Sequence, residues 1–349
     1  MSEISRISID TSKAVFTLHG VNAAGDPVLR VDLRRGRLLA FFRKQPRTQV
    51  AMEACGGSHH WARELTALGH EVRLVPPQYV KPFVKRGKND RIDAEAICEA
   101  AGRPGMHFVP VKTVAQQADG MVLKVRETLV GQRTQLINAL RGHAAEFGTI
   151  AGTGTSKVAA LLTAIAAEPG IPPVAKEMLA ELGAQIEHLD SRIDALEAKL
   201  MAMHKANPVS RVLATAPGVG PITALSFALE VDAAAFASGR HLAAWLGLTP
   251  QQHSTGGKPR IGGISRAGNE RLRVLLVNGA TSVINAVQRR GSKLATPWLL
   301  KLLARRPKKV AAVALANKMA RMLWAMMTTG ELYRRPGAAA TGRCAAGVS

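Results

Sequence analysis

Four carboxylates in this chain have the type and spacing of a metal site. Asp90 and Asp93 stand three residues apart in "GKNDRIDAEAICEAAGR" (87–103), which reads as the start of a helix. Residues three apart share a helix face. Asp10 ends the strand-like run "ISRISID", and Glu53 lies at the end of "TQVAMEA". Crowded carboxylates resist ionising together. A divalent cation relieves that repulsion: Mg²⁺ takes oxygen ligands in octahedral geometry, and two such ions ~4 Å apart clamp a phosphodiester. Each residue also has an ordinary explanation. Asp90 suits a helix cap, Asp93 and Glu95 suit the dipole of a first turn, Asp10 suits a turn, and Glu53 an exposed strand end.

A second set of groups lies in "HSTGGKPRIGGISRAGNERLR". Ser254 and Thr255 are hydroxyls in a Gly-rich loop flanked by Lys258, Arg260, Arg266, Arg271 and Arg273. One reading is a flexible loop that grips phosphate. The other is a nucleophile attacking DNA phosphorus, with arginines stabilising charge in the transition state. No general base is evident near either hydroxyl in the chain.

The composition narrows the substrate. The 349 residues carry 47 Lys+Arg against 25 Asp+Glu, a net charge of +22, which suits a partner with regularly spaced phosphates. An anionic membrane is a weaker competitor, because no basic amphipathic anchor stands out. Hydrophobic content of 47% excludes a disordered chain, and 4% aromatics points to aliphatic, alanine-rich helical packing. Cys55, Cys98 and Cys344 lack metal-ligand spacing, which fits a reducing compartment. "MSEISRISID" is no signal peptide. "KKVAAVALANKMARMLWAMM" is interrupted by Asn317, Lys318 and Arg321 and reads as a buried helix, not a membrane span.

The elements that must position these groups follow from patterning. "ISRISID", "AVFTLHG" and "PVLRVDL" read as an antiparallel meander, with "AAGDP" as a turn. "RRGRLLAFFRK" reads as a helix, "TQVAMEA" as a buried strand, "SHHWARELTALG" as a helix and "HEVRLVPP" as a strand. "KPFVKRGK" is a basic loop before the helix of Asp90. Three strands, helix, strand, helix, strand, helix is the order of the ribonuclease H-like fold, in which the four carboxylates converge on one sheet edge. A Rossmann reading lacks its Gly-rich fingerprint, since the first strand runs into "IDTSK".

The rest of the chain is helical. Leu179, Leu182, Ile186, Leu189, Ile193, Leu196 and Leu200 form a heptad seam, with Val122, Val125, Leu129, Leu136 and Leu140 as a similar one. Such helices pack within one chain or pair between chains, and an exposed seam favours pairing between chains. "LATAPGVGPITALSFALE" resembles a helix-hairpin-helix whose amides hold phosphate, or else is a tight helix connection. The expected domains are 1–110 (α/β), 111–205 (helical), 206–332 (mostly helical, with the hydroxyls) and a disordered tail, 333–349.

"IDTSK", "AMEACGG", "KNDRIDA", "APGVGPITA" and "GLTPQQHSTGGKPRIGGISRAGNERLR", in that order over nearly the whole chain, resemble the DEDD transposases of the insertion-sequence family numbered one-ten, especially its eleven-eleven subgroup. The Piv-type DNA invertases are relatives. The resemblance implies a RuvC-like domain, a coiled-coil domain and a transposase domain with a catalytic serine. It also implies an element-encoded guide RNA (a bridge RNA) and a dimer assembling to a tetramer, with carboxylates of one protomer and serine of another in each active site. By position, Asp10, Glu53, Asp90 and Asp93 match the family's acidic residues and would hold Mg²⁺ or Mn²⁺. Ser254 matches the nucleophile, and Thr255, directly before glycine, is the alternative.

The expected activity is therefore RNA-guided DNA recombination, acting on target and donor DNA in the bacterial cytoplasm in association with the nucleoid. A metal-dependent nuclease with no covalent step is the leading alternative, and a non-catalytic scaffold the third. Lys81, Lys85, Arg86, Lys88, Lys258, Arg260, Arg266, Arg271, Arg273, Arg305, Arg306, Lys308 and Lys309 are expected to contact nucleic acid, with Arg289 and Arg290 nearby in the same basic tail.

Overall fold

A computed structural model describes residues 3–85, 89–258, 260–290 and 295–334. It divides into two compact units, Met1–Gln117 and Ala118–Ser349. Arg86 and Lys88 of the basic loop, Cys344 and residues 335–349 of the expected tail lie outside the described residues, as does the side chain of Arg290.

The first unit is built on a five-stranded sheet. Its strands are β1 (Arg6–Thr11), β2 (Val15–Val21), β3 (Pro27–Arg34), β4 (Gln49–Glu53) and β5 (Glu71–Val75), in the spatial order β3-β2-β1-β4-β5. The first three form the expected antiparallel meander, while β4 and β5 run parallel to β1. Helix α1 (Leu38–Phe42) joins β3 to β4 and α2 (Ser58–Ala67) joins β4 to β5, while α3 (Pro77–Val80) and α4 (Asp90–Gly102) follow β5. The helix expected over 34–44 is shorter: a 3₁₀ turn at Arg35–Arg37 precedes α1, where Gly36 weakens helix propensity. The basic segment likewise opens on a 3₁₀ turn, Lys81–Phe83.

Strand alternation assigns the two faces. Ile7, Ile9, Val50, Met52 and Leu74 pack with Leu38, Phe42, Trp61 and Leu65 of α1 and α2. The opposite face packs on α4: Ala51 and Val75 cluster with Ala96, Ile97, Ala100 and Ala101. The fully buried Ser8 hydroxyl donates to the Ala94 carbonyl of α4 at 2.6 Å. Asp10 shares the parity of Ser8, and Glu53 that of Ala51. Both carboxylates therefore face α4.

The second unit is mostly helical. Most of α5 (Val114–Ala145) lies in it, with α6 (Val158–Ala167), α7 (Pro173–Ala206), α8 (Pro208–Leu213), α9 (Pro221–Glu230) and α10 (Gly239–Trp245). A short hairpin of β6 (Pro250–Gln252) and β7 (Ile261–Ile264) follows, then α11 (Glu270–Arg290), α12 (Pro297–Arg305) and α13 (Lys308–Thr329).

The long helices α5 and α7 pack antiparallel within the chain. Arg126 pairs with Glu197 and, seven residues on, Arg133 pairs with Asp190 seven residues back. Leu179, Ile186, Ile193 and Leu200 of the predicted seam are all buried, at 1–3% exposure. Ile137, Leu140 and Ala144 of α5, with Val158, Leu161 and Ile165 of α6, cover Leu179 and Ile186, while Leu123 covers Leu200. These four positions are thus covered within the chain, while Leu182, Leu189 and Leu196 of the seam are half-buried. The partner stripe on α5 is different: Leu123, Ile137 and Leu140 are buried while Val125 is 41% exposed. Arg126 and Arg133 occupy seam positions between these leucines and isoleucine, so the stripe does not read as apolar.

The α8–α13 core gathers Leu213, Phe227, Leu242, Leu276, Ile284, Leu299 and Leu323. Helix α13 is the one described helix long and apolar enough to cross a membrane. Eight of its residues, from Ala311 to Met326, are instead buried in this core, as its interrupted pattern predicted. The Gly-x-Gly turn before α9 serves close packing: a Cβ on Gly279 of α11 would stand 2.1 Å from the Gly218 carbonyl oxygen. Conversely, a Cβ on Gly218, whose φ is 80°, would stand 2.8 Å from the Gly279 carbonyl oxygen, so both glycines serve a tight helix connection. Tyr333, placed in the expected tail, donates its backbone N–H to the Thr215 hydroxyl at 3.0 Å.

Candidate active site

The carboxylates meet where β1, β4 and α4 end or begin. Helix α4 starts at Asp90, and its cap is Asn89, whose side chain accepts the Arg91 backbone N–H at 3.0 Å. Asp90 is thus the first helical residue, and its carboxylate has no capping duty. One turn on, Asp93 shares its face. Carboxylate oxygens of Asp10, Asp90 and Asp93 all lie within 4.8 Å of one another. Glu53 stands beside this triad, close enough to Asp10 and Asp93 for their charges to act on one another.

The electrostatics are those of an under-neutralised acidic cluster. Burial, then the charges of Asp93, Asp90 and Glu53, push the Asp10 carboxyl up to about 6, against a smaller opposing effect from the Thr11 backbone N–H. Burial and then Asp93 likewise raise Glu53 above the usual glutamate range. The set offers only carboxylate oxygens, the donors that Mg²⁺ and Mn²⁺ take, with no sulfur or imidazole to favour zinc. A divalent cation fits it.

Sequence reasoning missed the residues that hold α4 over the sheet. Asp10, Thr17 and Asp32 are in register across β1, β2 and β3. Asp32 accepts the Thr17 hydroxyl at 2.9 Å and pairs with Arg91 of α4 at 3.2 Å, which together hold its carboxyl below the usual range. Arg6 donates to the Cys98 carbonyl at 3.0 Å. The signal for Asp32 was the alternation in "PVLRVDL", which puts it with Arg30 on the parity opposite Leu29, Val31 and Leu33.

The hydroxyls lie in the glycine-containing loop that joins β6 to β7. Thr255–Lys258 forms its turn: the Thr255 carbonyl accepts the Lys258 N–H at 3.0 Å, and Gly256 and Gly257 take φ of 54° and 75°. Two successive positive φ values are the geometry of a tight hairpin turn, which only glycine adopts without strain. Ser254 is exposed, and its Oγ accepts the Gln252 Nε2–H at 3.1 Å and the Arg260 backbone N–H at 3.2 Å.

The expected basic contacts separate into two groups. Lys81, Lys85, Lys258, Arg260, Arg266, Arg305, Arg306, Lys308 and Lys309 are exposed, Lys85 being paired with Glu95 at 2.6 Å. Arg271 and Arg273 turn inward, against expectation. Arg271 pairs with Glu230, whose side chain is 8% exposed. Arg273, 7% exposed, donates to the Leu246 and Ala267 carbonyls at 3.0 Å. Arg273 thereby braces the hairpin's flank, while Arg271 ties α11 to α9 through Glu230 and Ser226.

The comparisons with known proteins decide the family. A protein of Sinorhizobium fredii named as a transposase is 52% identical over 96% of this chain and 87% of its own length. The transposase for insertion sequence element IS1111A of Coxiella burnetii is 40% identical over 96% of this chain and 92% of its own length. The chain belongs to the IS110/IS116 family of DEDD transposases. The family model described as a transposase of the IS116/IS110/IS902 family matches residues 210–295, and the DEDD transposase model matches 7–148. A third relative, the transposase for IS1328 of Yersinia enterocolitica, is 38% identical over 96% of this chain and all of its own length. The carboxylate cluster therefore falls in the segment matched as a DEDD transposase, and the hairpin in the segment matched to the family's second model.

Proposed function

We propose that this DEDD transposase is an RNA-guided DNA recombinase that moves its own insertion sequence through a covalent serine–DNA intermediate. The observation that carries the reading is the mutual approach of Asp10, Asp90 and Asp93, with Glu53 beside them. The strand order β3-β2-β1-β4-β5 supports a ribonuclease H-like, RuvC-type domain. The α5–α7 pair supports a coiled-coil domain, between an α/β domain over 1–110 and a transposase domain over 206–332.

Held by the four carboxylates, Mg²⁺ or Mn²⁺ would supply positive charge to a scissile phosphodiester. The chain's own residues do the rest. Ser254 Oγ attacks phosphorus: the Oγ–P bond forms, the bond from phosphorus to the 3′-oxygen breaks, and a 5′-phosphoserine and a 3′-hydroxyl result. The serine proton passes to solvent and the departing 3′-oxygen takes one up. The two N–H donors on Ser254 Oγ stabilise the alkoxide as its proton leaves, which favours Ser254 over Thr255 as nucleophile. Strand exchange reverses the step with a new 3′-hydroxyl.

Guide RNA and a tetramer, with carboxylates of one protomer serving the serine of another, follow from the family resemblance of the five motifs. The decisive experiment is trapping of the protein–DNA adduct on a cognate junction. Ser254→Ala abolishes the adduct while Thr255→Ala retains it. Cleavage by Ser254→Ala without an adduct would favour the simple nuclease instead.

A further inference from the structure

The second unit carries a groove of about 1020 Å³ between the β6–β7 hairpin and helices α12 and α13. That exceeds the usual ~300–1,000 Å³ of a small-ligand pocket. Its floor is apolar, with Ile264, Val313 and Met322 among its residues. Its charged lining residues are Arg266, Lys309, Lys318 and Arg321, with no carboxylate among them. Trp298 stands in its wall, 37% exposed, with Lys318 Nζ 4.5 Å from its ring centroid. The wall is braced from within. Arg266 is the one described non-glycine residue at positive φ (55°), its backbone N–H bonded to the Gly247 carbonyl at 3.2 Å. Buried Arg273 ties down the neighbouring Ala267 carbonyl, and Asn317 of α13 donates to the Leu248 carbonyl at 3.2 Å.

We propose that this groove binds an unpaired stretch of the DNA substrate, with a base stacked on Trp298 and phosphates on Lys309, Lys318, Arg321 and Arg266. Cations around an apolar floor with an exposed indole in the wall are what single strands require, because every base offers an apolar face and every linkage a charge. A duplex hides its base faces in the stack and is gripped mainly through phosphates, so it would leave the floor and the indole unused. The groove shares β7 with the hairpin of Ser254, so a strand lying in it runs toward that hairpin. The inference rests on the proposed recombination only for the choice of DNA as occupant.

The test is fluorescence anisotropy of the full chain with a labelled ten-nucleotide oligo-dT and a duplex, in EDTA. Working without metal separates this binding from catalysis, which is tested by the carboxylate variants. Trp298→Ala weakens single-strand binding about tenfold, as loss of one stacked base does, and leaves duplex binding within about twofold. Trp298→Phe restores affinity but removes the quenching of tryptophan fluorescence that the oligonucleotide causes in the parent. Lys318→Ala weakens single-strand binding in the same direction, which covers the case of a misfolded Trp298→Ala. Equal loss on duplex and single strand, or no loss in either alanine variant, overturns the proposal. An oligo-U ribonucleotide bound tenfold more tightly through Trp298 would overturn the choice of DNA.

Discussion

Asn89 caps the helix that Asp90 begins, its side chain accepting the Arg91 N–H at 3.0 Å. One residue carries the structural duty, and its neighbour is left to face Asp10 and Asp93. Replacing the cap tests that division. Asn89→Ala costs about 1 kcal/mol, read as a lower urea midpoint, and weakens Mn²⁺ binding because the first turn of α4 frays. Asn89→Ser retains the cap and both properties. An unchanged midpoint in the alanine variant would remove the cap from the account.

The acidic cluster predicts opposite pH responses with and without metal. Asp10 is raised to about 6 from 3.8, so the folded state holds its proton more tightly than the unfolded chain does. Its contribution to metal-free stability is therefore favourable below the unfolded value and is lost as pH rises through about 4 to 6. Metal prefers the ionised form, so Mn²⁺ affinity rises over the same interval. Melting at pH 4.5 and 7.5, with and without Mn²⁺, reads both trends. Asp10→Asn flattens both.

Ile186, 3% exposed on α7, is covered by its own chain. Ile186→Ala therefore destabilises the fold by about 2–5 kcal/mol, measured by denaturant unfolding. Loss of assembly in light scattering with no change in the unfolding midpoint would show that the seam serves another chain instead.

The inward and outward cations behave differently. Arg271→Ala leaves the buried Glu230 carboxylate unpaired and costs about 3–5 kcal/mol of stability. Lys258→Ala, on the exposed hairpin turn, changes stability by less than about 0.5 kcal/mol and lowers the salt slope of DNA binding by about one. Denaturation and salt titration of the two variants separate the roles.

The sheet unit was legible because its signals are local. Period-two strands and proline or glycine punctuation gave the order of strands and helices, and the parity of Ile7, Ile9, Val50 and Met52 then faces Asp10 and Glu53 toward α4. The Asn89 cap was less legible, since Asn89 and Asp90 are both good capping residues and only backbone geometry chooses between them. The α5 stripe was hidden because Arg126 and Arg133 occupy seam positions, their charge answered by Glu197 and Asp190 far along the chain. Arg271 and Arg273 read as surface cations for the same reason: the Glu230 carboxylate and the Leu246 carbonyl that hold them are far along the chain. The strands that flank the Ser254 loop were not read because they are short and rich in glycine and glutamine, with little β propensity.

The central claim is that Asp10, Glu53, Asp90 and Asp93 form one metal site required for DNA strand cleavage. Mn²⁺ binding followed by electron paramagnetic resonance tests it most directly, using the parent chain and folded Asp10→Asn and Asp93→Asn variants. The account predicts saturable binding in the parent, at least about tenfold weaker binding in each variant, and parallel loss of strand cleavage. Parent-like Mn²⁺ affinity in both variants would contradict it.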